Sequence, residues 1–216
     1  MQPTLYSHYN CPHSLKAAFF LSEKGISFER IEIDMSNKQQ KTPAYLAKNP
    51  KGTVPTYEDN QGLIGDSLDI MRYVDANTNA PKLFPDNPDD LADVLGWIAR
   101  ADHDFWDVSH HLYWQVLDIP AEGTDWDEVD RLMRKGHDLL SQLEAALSQN
   151  DFICGAFSAA DIAVLPWVYG FKRFDGLLDV EKFSHVVAWC DALSQKEAFQ
   201  SNYRVKGTPF QVETSY

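Results

Sequence analysis

The sequence predicts an α/β domain over residues 1–77, a linker over 78–89 and an all-helical domain over 90–216. Three observations carry this division. Over the first 80 residues apolar spacing switches between strand and helix in the order β-α-β-α-β-β-α, whereas beyond them strand signals are sparse. Pro81, Pro85 and Pro88 punctuate the join. Charge divides there too: residues 1–80 hold 8 Lys+Arg against 9 Asp+Glu, and the rest of the chain holds 11 against 23.

Taken in order, Thr4 to Ser7 is a short strand. Leu15, Ala18, Phe19 and Leu21 then recur at helical spacing, with Pro12 suited to the first helical position and Gly25 to the stop. Phe28 to Ile33 alternates as a second strand, and Thr42-Pro43 opens a helix through Tyr45 and Leu46. After the turn residues Asn49-Pro50-Lys51-Gly52 come a strand at Thr56–Glu58, a turn at Asp59–Gly62, a strand at Leu63-Ile64 and a helix from Asp66-Ser67. Its apolar face is Leu68, Ile70, Met71 and Val74. Four helical patterns follow: Leu91 to Val116, Trp126 to Leu147, Ser158 to Phe171 and Val180 to Leu193.

Composition narrows function. No run of about 18 apolar residues exists, so no membrane-spanning helix is expected, and the N-terminus lacks the basic start and apolar run of a signal peptide. The net charge of -13 argues against nucleic-acid and membrane partners. Three cysteines suit free thiols in a reducing compartment, so the expected location is the cytoplasm.

Cys11 carries the chemistry. It stands just before a helix whose first turn has unpaired N–H groups and a partial positive charge, both of which favour the nucleophilic thiolate. Ser14 can place its hydroxyl near that sulfur. Cys154 and Cys190 lie among helical core residues. Ser158 and Asp161 form a variant of the helix capping box and are given no catalytic part.

Cys11-Pro12-His13-Ser14, the Asn49-Pro50-x-Gly52-x-Val54-Pro55 turn, Asp66-Ser67 at a helix start and Gly155 with Ser158-x-x-Asp161 occur in the order and spacing of one family. The chain resembles the cytosolic glutathione transferases: a thioredoxin-like βαβαββα domain followed by an all-helical one. The cysteine-type members, omega-class and dehydroascorbate-reducing, are the most similar in their Cys-Pro turn. The resemblance implies glutathione as co-substrate, a homodimer and no metal. It implies a cis bond before Pro55, with the Val54 backbone pairing to the tripeptide, Asp66 and Ser67 taking the γ-glutamyl end, and Lys41 facing the glycine carboxylate. Thioredoxins have a second cysteine where Ser14 stands, so an external thiol must resolve any disulfide at Cys11. The expected activity is glutathione-dependent thiol transfer through a mixed disulfide at Cys11. The alternatives are conjugation of glutathione to small electrophiles, with the thiolate steadied by Cys11 and Ser14, and a non-catalytic protein-binding module.

A second substrate, electrophilic or oxidised, needs an apolar wall. His103, Trp106, His110 and Tyr113 recur at three- and four-residue spacing on the long helix, and Tyr169, Phe171 and Phe174 are further candidates. Histidines on that helix have no third ligand set at metal-binding spacing.

Overall fold

A computed structural model describes residues 2–118 and 121–203. They fall into two compact units, residues 2–81 with 197–203, and the described part of residues 82–196. Residues 197–203, counted with the helical domain from sequence, therefore cluster with the first unit; the part of that expectation beyond residue 203 lies outside the described residues.

The first unit is built on four strands: β1 (Thr4–Ser7), β2 (Glu29–Glu32), β3 (Thr56–Asp59) and β4 (Gly62–Gly65), in the order β2-β1-β3-β4. β1 runs parallel to β2, with Ser7 opposite Glu32, and antiparallel to β3, which forms a hairpin with β4. Between them lie α1 (Pro12–Glu23), a 3₁₀ turn (Gln39–Lys41) and α2 (Pro43–Leu46), and after them α3 (Ser67–Ala76). This is the thioredoxin-like order.

Strand pleating sends Tyr6 and Leu5 to opposite faces. Tyr6 meets Tyr45 of α2 edge-on at 6.3 Å, and with Ile33 they form a small cluster on that face. On the other face Arg30 Nε donates to Ser7 Oγ (2.7 Å) and its Nη1 to the Asn202 carbonyl (2.8 Å), while the Asn202 amide donates to Ser22 Oγ of α1 (2.8 Å). A short helix at Glu197–Gln200 joins this layer by an edge-on contact of Phe199 with Phe19 at 5.6 Å. That aromatic burial, together with the Asn202 bonds, explains why residues 197–203 belong here. A fully buried ion pair, Lys24–Asp75 at 2.8 Å, ties α1 to α3, and Lys24 also donates to the Pro81 carbonyl (2.7 Å).

Among its described residues the second unit has helices and turns, with one isolated bridge between Cys154 and Ala156. Its elements are α4 (Pro88–Arg100), α5 (Trp106–Leu112), α6 (Trp126–Leu147), α7 (Ala159–Phe171) and α8 (Ser184–Ser194); α9 (Glu197–Gln200) follows. The long helix expected over residues 91–116 is broken into α4 and α5 by a π-helical segment at Ala101–Phe105, and a second one, Tyr113–Asp118, follows α5. α8 begins at Ser184 rather than Val180, because Asp179 Oδ1 accepts from the Glu181 and Lys182 N–H groups and holds that stretch as a turn. The core is built from α4, α5, α6 and α7, with Phe105 and Phe171 stacked at 5.7 Å. α7 starts at a complete capping box: Ser158 Oγ accepts from Ala160 N–H, and buried Asp161 accepts from Ser158 N–H (2.9 Å), Ile153 N–H (3.0 Å) and Trp189 Nε1–H (3.0 Å). No described helix is long and apolar enough to cross a membrane.

Candidate active site

β1 ends at Ser7 and the chain turns through His8-Tyr9-Asn10 into α1, with Cys11 as the N-cap residue in extended conformation (φ −107°, ψ 113°) and Pro12 behind it. Proline suits this place because its missing N–H is one the first turn leaves unbonded anyway. The turn is closed by Cys11 N–H donating to the His8 carbonyl (3.1 Å). His8 N–H in turn donates to Ser14 Oγ (3.2 Å), and Ser14 is fully buried. A serine oxygen that accepts from His8 still has its own proton to give.

Burial pushes the Cys11 thiol above its ordinary value of 9.0; the Ser14 N–H and hydroxyl, the His13 N–H and the charge of Lys16 pull it the other way. The expectation of a thiolate-favouring helix start is thus corrected in its balance. The donors are there, but desolvation outweighs them, although the residue keeps some solvent exposure. Cys154 and Cys190 are both pushed up to about 12, chiefly by burial.

The Asn49 to Pro55 segment is fixed by side-chain bonds. Asn49 Nδ2 donates to the Thr53 carbonyl (2.9 Å) and Thr56 Oγ1 (3.0 Å), and Tyr45 Oη donates to the same carbonyl (2.8 Å). Gly52 sits at φ +59°, where a Cβ would meet Lys41 Nζ at 2.8 Å and the Gln40 carbonyl at 2.9 Å, so only glycine fits. The same closeness holds exposed Lys41, whose Nζ donates to the Lys51 carbonyl (3.3 Å). The Val54–Pro55 bond is cis. Val54 packs its side chain on the Tyr6–Ile33–Tyr45 cluster, and its N–H and C=O have no partner among the described residues.

Asp66 caps α3, with Oδ1 accepting from Leu68 N–H (2.9 Å), and buried Ser67 takes the first helical position. Asp66 holds φ +101°, ψ 132°, a region in which an L-residue costs on the order of 1–3 kcal/mol.

The second-substrate candidates divide. Trp106 and His110 stack at 4.8 Å (13° between planes), Trp114 Nε1–H donates to His110 Nε2 (3.2 Å), and Tyr113 meets Trp114 edge-on at 5.8 Å. The π-helical segment at Ala101–Phe105 shifts the register that simple helical spacing assumed, and exposed His103 joins none of these ring contacts. Tyr169 lies on α7 with Lys172 Nζ 5.0 Å from its ring centre. Phe171 and Phe174 are buried core residues, which corrects their reading as pocket wall. Burial pushes His110 down, with the neighbouring His111 adding to it.

Apolar spacing and motifs do not single out two residues that stand beside the Cys11 turn, His8 and Glu32. Glu32 Oε1 lies 2.7 Å from His8 Nδ1 and accepts from Tyr9 N–H (3.0 Å). The signal was an acidic residue at the inner end of a strand, but only the parallel register of β1 and β2 brings it beside the Cys11 turn.

Residues 5–82 match the family model of the glutathione S-transferase N-terminal domain, and residues 105–197 that of the C-terminal domain. Glutathione S-transferase F10 of Arabidopsis thaliana is 30% identical over 198 residues, spanning 87% of this chain and 90% of that one. The solved glutathione transferase F7 of Populus trichocarpa superposes with a TM-score of 0.79 at 26% identity over 93% of this chain and 97% of that one. A theta class glutathione S-transferase from the citrus canker pathogen Xanthomonas axonopodis pv. citri, solved with glutathione bound, gives 0.82 at 27% identity over 96% and 99%.

Proposed function

Because the chain belongs to the glutathione S-transferase family, we propose that it performs glutathione-dependent thiol transfer at Cys11. The observation that carries this reading is a cysteine at the N-cap of α1, faced by the hydroxyl and N–H of Ser14 and the N–H of His13. Those donors steady the thiolate as it forms, and a partly exposed sulfur is reachable.

In the first step the Cys11 thiolate attacks the glutathione sulfur of a mixed disulfide R–S–S–G. The S–S bond breaks, R–S⁻ leaves and takes a proton, and Cys11 holds glutathione as a disulfide. Free glutathione, as its thiolate, then attacks that glutathione sulfur; Cys11 returns as a thiolate and oxidised glutathione departs. No second cysteine stands within the turn, since Ser14 occupies that place.

For holding the tripeptide, the Val54 backbone offers an N–H and a C=O without other partners among the described residues. Lys41 supplies a cation for the glycyl carboxylate, and the strained start of α3 supplies Ser67 and the Asp66 carboxylate for the γ-glutamyl end. The ring stack of Trp106 and His110, with Tyr113 beside it, suits a flat second substrate. His103 and Tyr169 stay candidates for that wall. Three unpaired cysteines fit a reducing compartment such as the cytoplasm, and the family resemblance supports a homodimer.

A second reading has its own observation. A thiol held neutral by burial can donate its S–H to the sulfur of bound glutathione, steadying that thiolate for attack on an electrophile. Cys11→Ala assayed with hydroxyethyl disulfide and with chloro-dinitrobenzene separates the two. Thiol transfer through Cys11 predicts at least about a hundredfold loss with the disulfide. Unchanged disulfide reduction would sink it, and loss confined to chloro-dinitrobenzene would establish the second reading.

A further inference from the structure

We infer that Glu32 is a positioning residue for Cys11, acting through His8 and Tyr9 on the turn that sets the sulfur against Ser14. The chain of contacts is short and continuous. The parallel pairing of β1 with β2 places Glu32 opposite Ser7, one residue before the turn. One carboxylate oxygen serves two groups of that turn, the His8 ring at Nδ1 (2.7 Å) and the Tyr9 N–H (3.0 Å). His8 Nδ1 also lies 3.2 Å from the Ile33 carbonyl, and facing two acceptors it must carry the proton. The ring is thereby fixed from outside the loop. The main chain of the same residue then does the positioning: its C=O takes the Cys11 N–H and its N–H takes Ser14 Oγ. The Cys11 main chain and the Ser14 hydroxyl thus both hang on one residue, and that residue hangs on Glu32.

The cost points the same way. Glu32 Oε2 is buried without a hydrogen-bond partner among the described residues. Leaving one buried carboxylate oxygen without a donor is unfavourable. The strand ladder and the Ile33 N–H bond to the Ser7 carbonyl (2.8 Å) already hold β2 to β1 without it. An expensive anchor beside a sheet that is closed without it is better explained by the loop it orders than by the sheet.

The inference rests on Cys11 as the working thiol, but its test needs no glutathione, so the two can fail separately. The full chain is alkylated with iodoacetamide across a pH series, and the peptide carrying Cys11 is followed by mass spectrometry. The titratable groups whose charge acts with the Cys11 thiol are Lys16 on α1 and Tyr45 on α2, both kept in every variant. Glu32→Ala frees the His8 ring and the Tyr9 N–H, and loosening of Ser14 is expected to slow Cys11 alkylation at neutral pH by about threefold to tenfold, the worth of one hydrogen bond. The midpoint of its pH profile moves up, while the Cys154 and Cys190 peptides are unchanged. Glu32→Gln keeps an acceptor oxygen for both donors and is expected to stay within about twofold of the parent. A Glu32→Ala profile superimposable on the parent, or Glu32→Gln falling as far as Glu32→Ala, overturns the inference. If Glu32→Ala does not fold, His8→Ala cuts the same link from the other side, and an unchanged profile there overturns it equally.

Discussion

The first turns of α1 and α7 solve one problem in opposite ways. Each helix begins with N–H groups that have no partner within the helix. At α7 they are taken up by Ser158 and Asp161, a box that also accepts from Ile153 and Trp189, so the start of the helix is a structural knot. At α1 the N-cap residue is a cysteine that makes no capping bond, and the N–H groups of His13 and Ser14 are left facing sulfur. The start of α3 stands between them: Asp66 caps, yet at a strained φ of +101°. At α7 the helix-start donors meet carboxylate and hydroxyl oxygens, whereas at α1 two of them act on a thiol.

That contrast can be broken at either end. The largest effect is expected at α7: Asp161→Ala strands several buried donors and is expected to cost about 3–4 kcal/mol in urea unfolding, with the Cys11 alkylation rate of the folded protein unchanged. Ser14→Ala does the reverse. It removes a donor to the sulfur and is expected to slow Cys11 alkylation at neutral pH by about tenfold while costing about 1 kcal/mol of stability or less.

The pH dependence has a definite sign. Burial raises the Cys11 thiol above 9.0, which favours the neutral form, so the thiolate fraction at neutral pH is below that of a free cysteine and grows as pH rises through that value. Alkylation of Cys11 should therefore keep climbing beyond pH 9, where a free thiol has begun to level off. A plateau at neutral pH would show that the donors outweigh burial. The smallest effect is expected at Lys41, an exposed cation: Lys41→Ala should raise KM for glutathione about twofold to fivefold and leave kcat nearly unchanged.

Much of this was legible from residues alone, and the reasons differ by element. α6 was read end to end, Trp126 to Leu147, because a 22-residue amphipathic helix repeats its signal many times. Cys11 could be placed at a helix start because Pro12 marks the first position so strongly. The π-helical segments left no trace in apolar spacing. Glu32 was invisible because its partner lies 24 residues earlier and only strand register joins them. The balance at Cys11 was also out of reach: a motif shows which donors stand near a sulfur, but desolvation depends on everything packed around it.

The central claim is that Cys11 takes glutathione covalently. Incubating the full chain with oxidised glutathione and mapping the product by non-reducing peptide mass spectrometry tests it most directly. The account predicts one glutathionyl group, on the peptide carrying Cys11, removed by added reduced glutathione and missing in Cys11→Ser. A Cys11 peptide that stays unmodified while the enzyme turns over disulfide would contradict it.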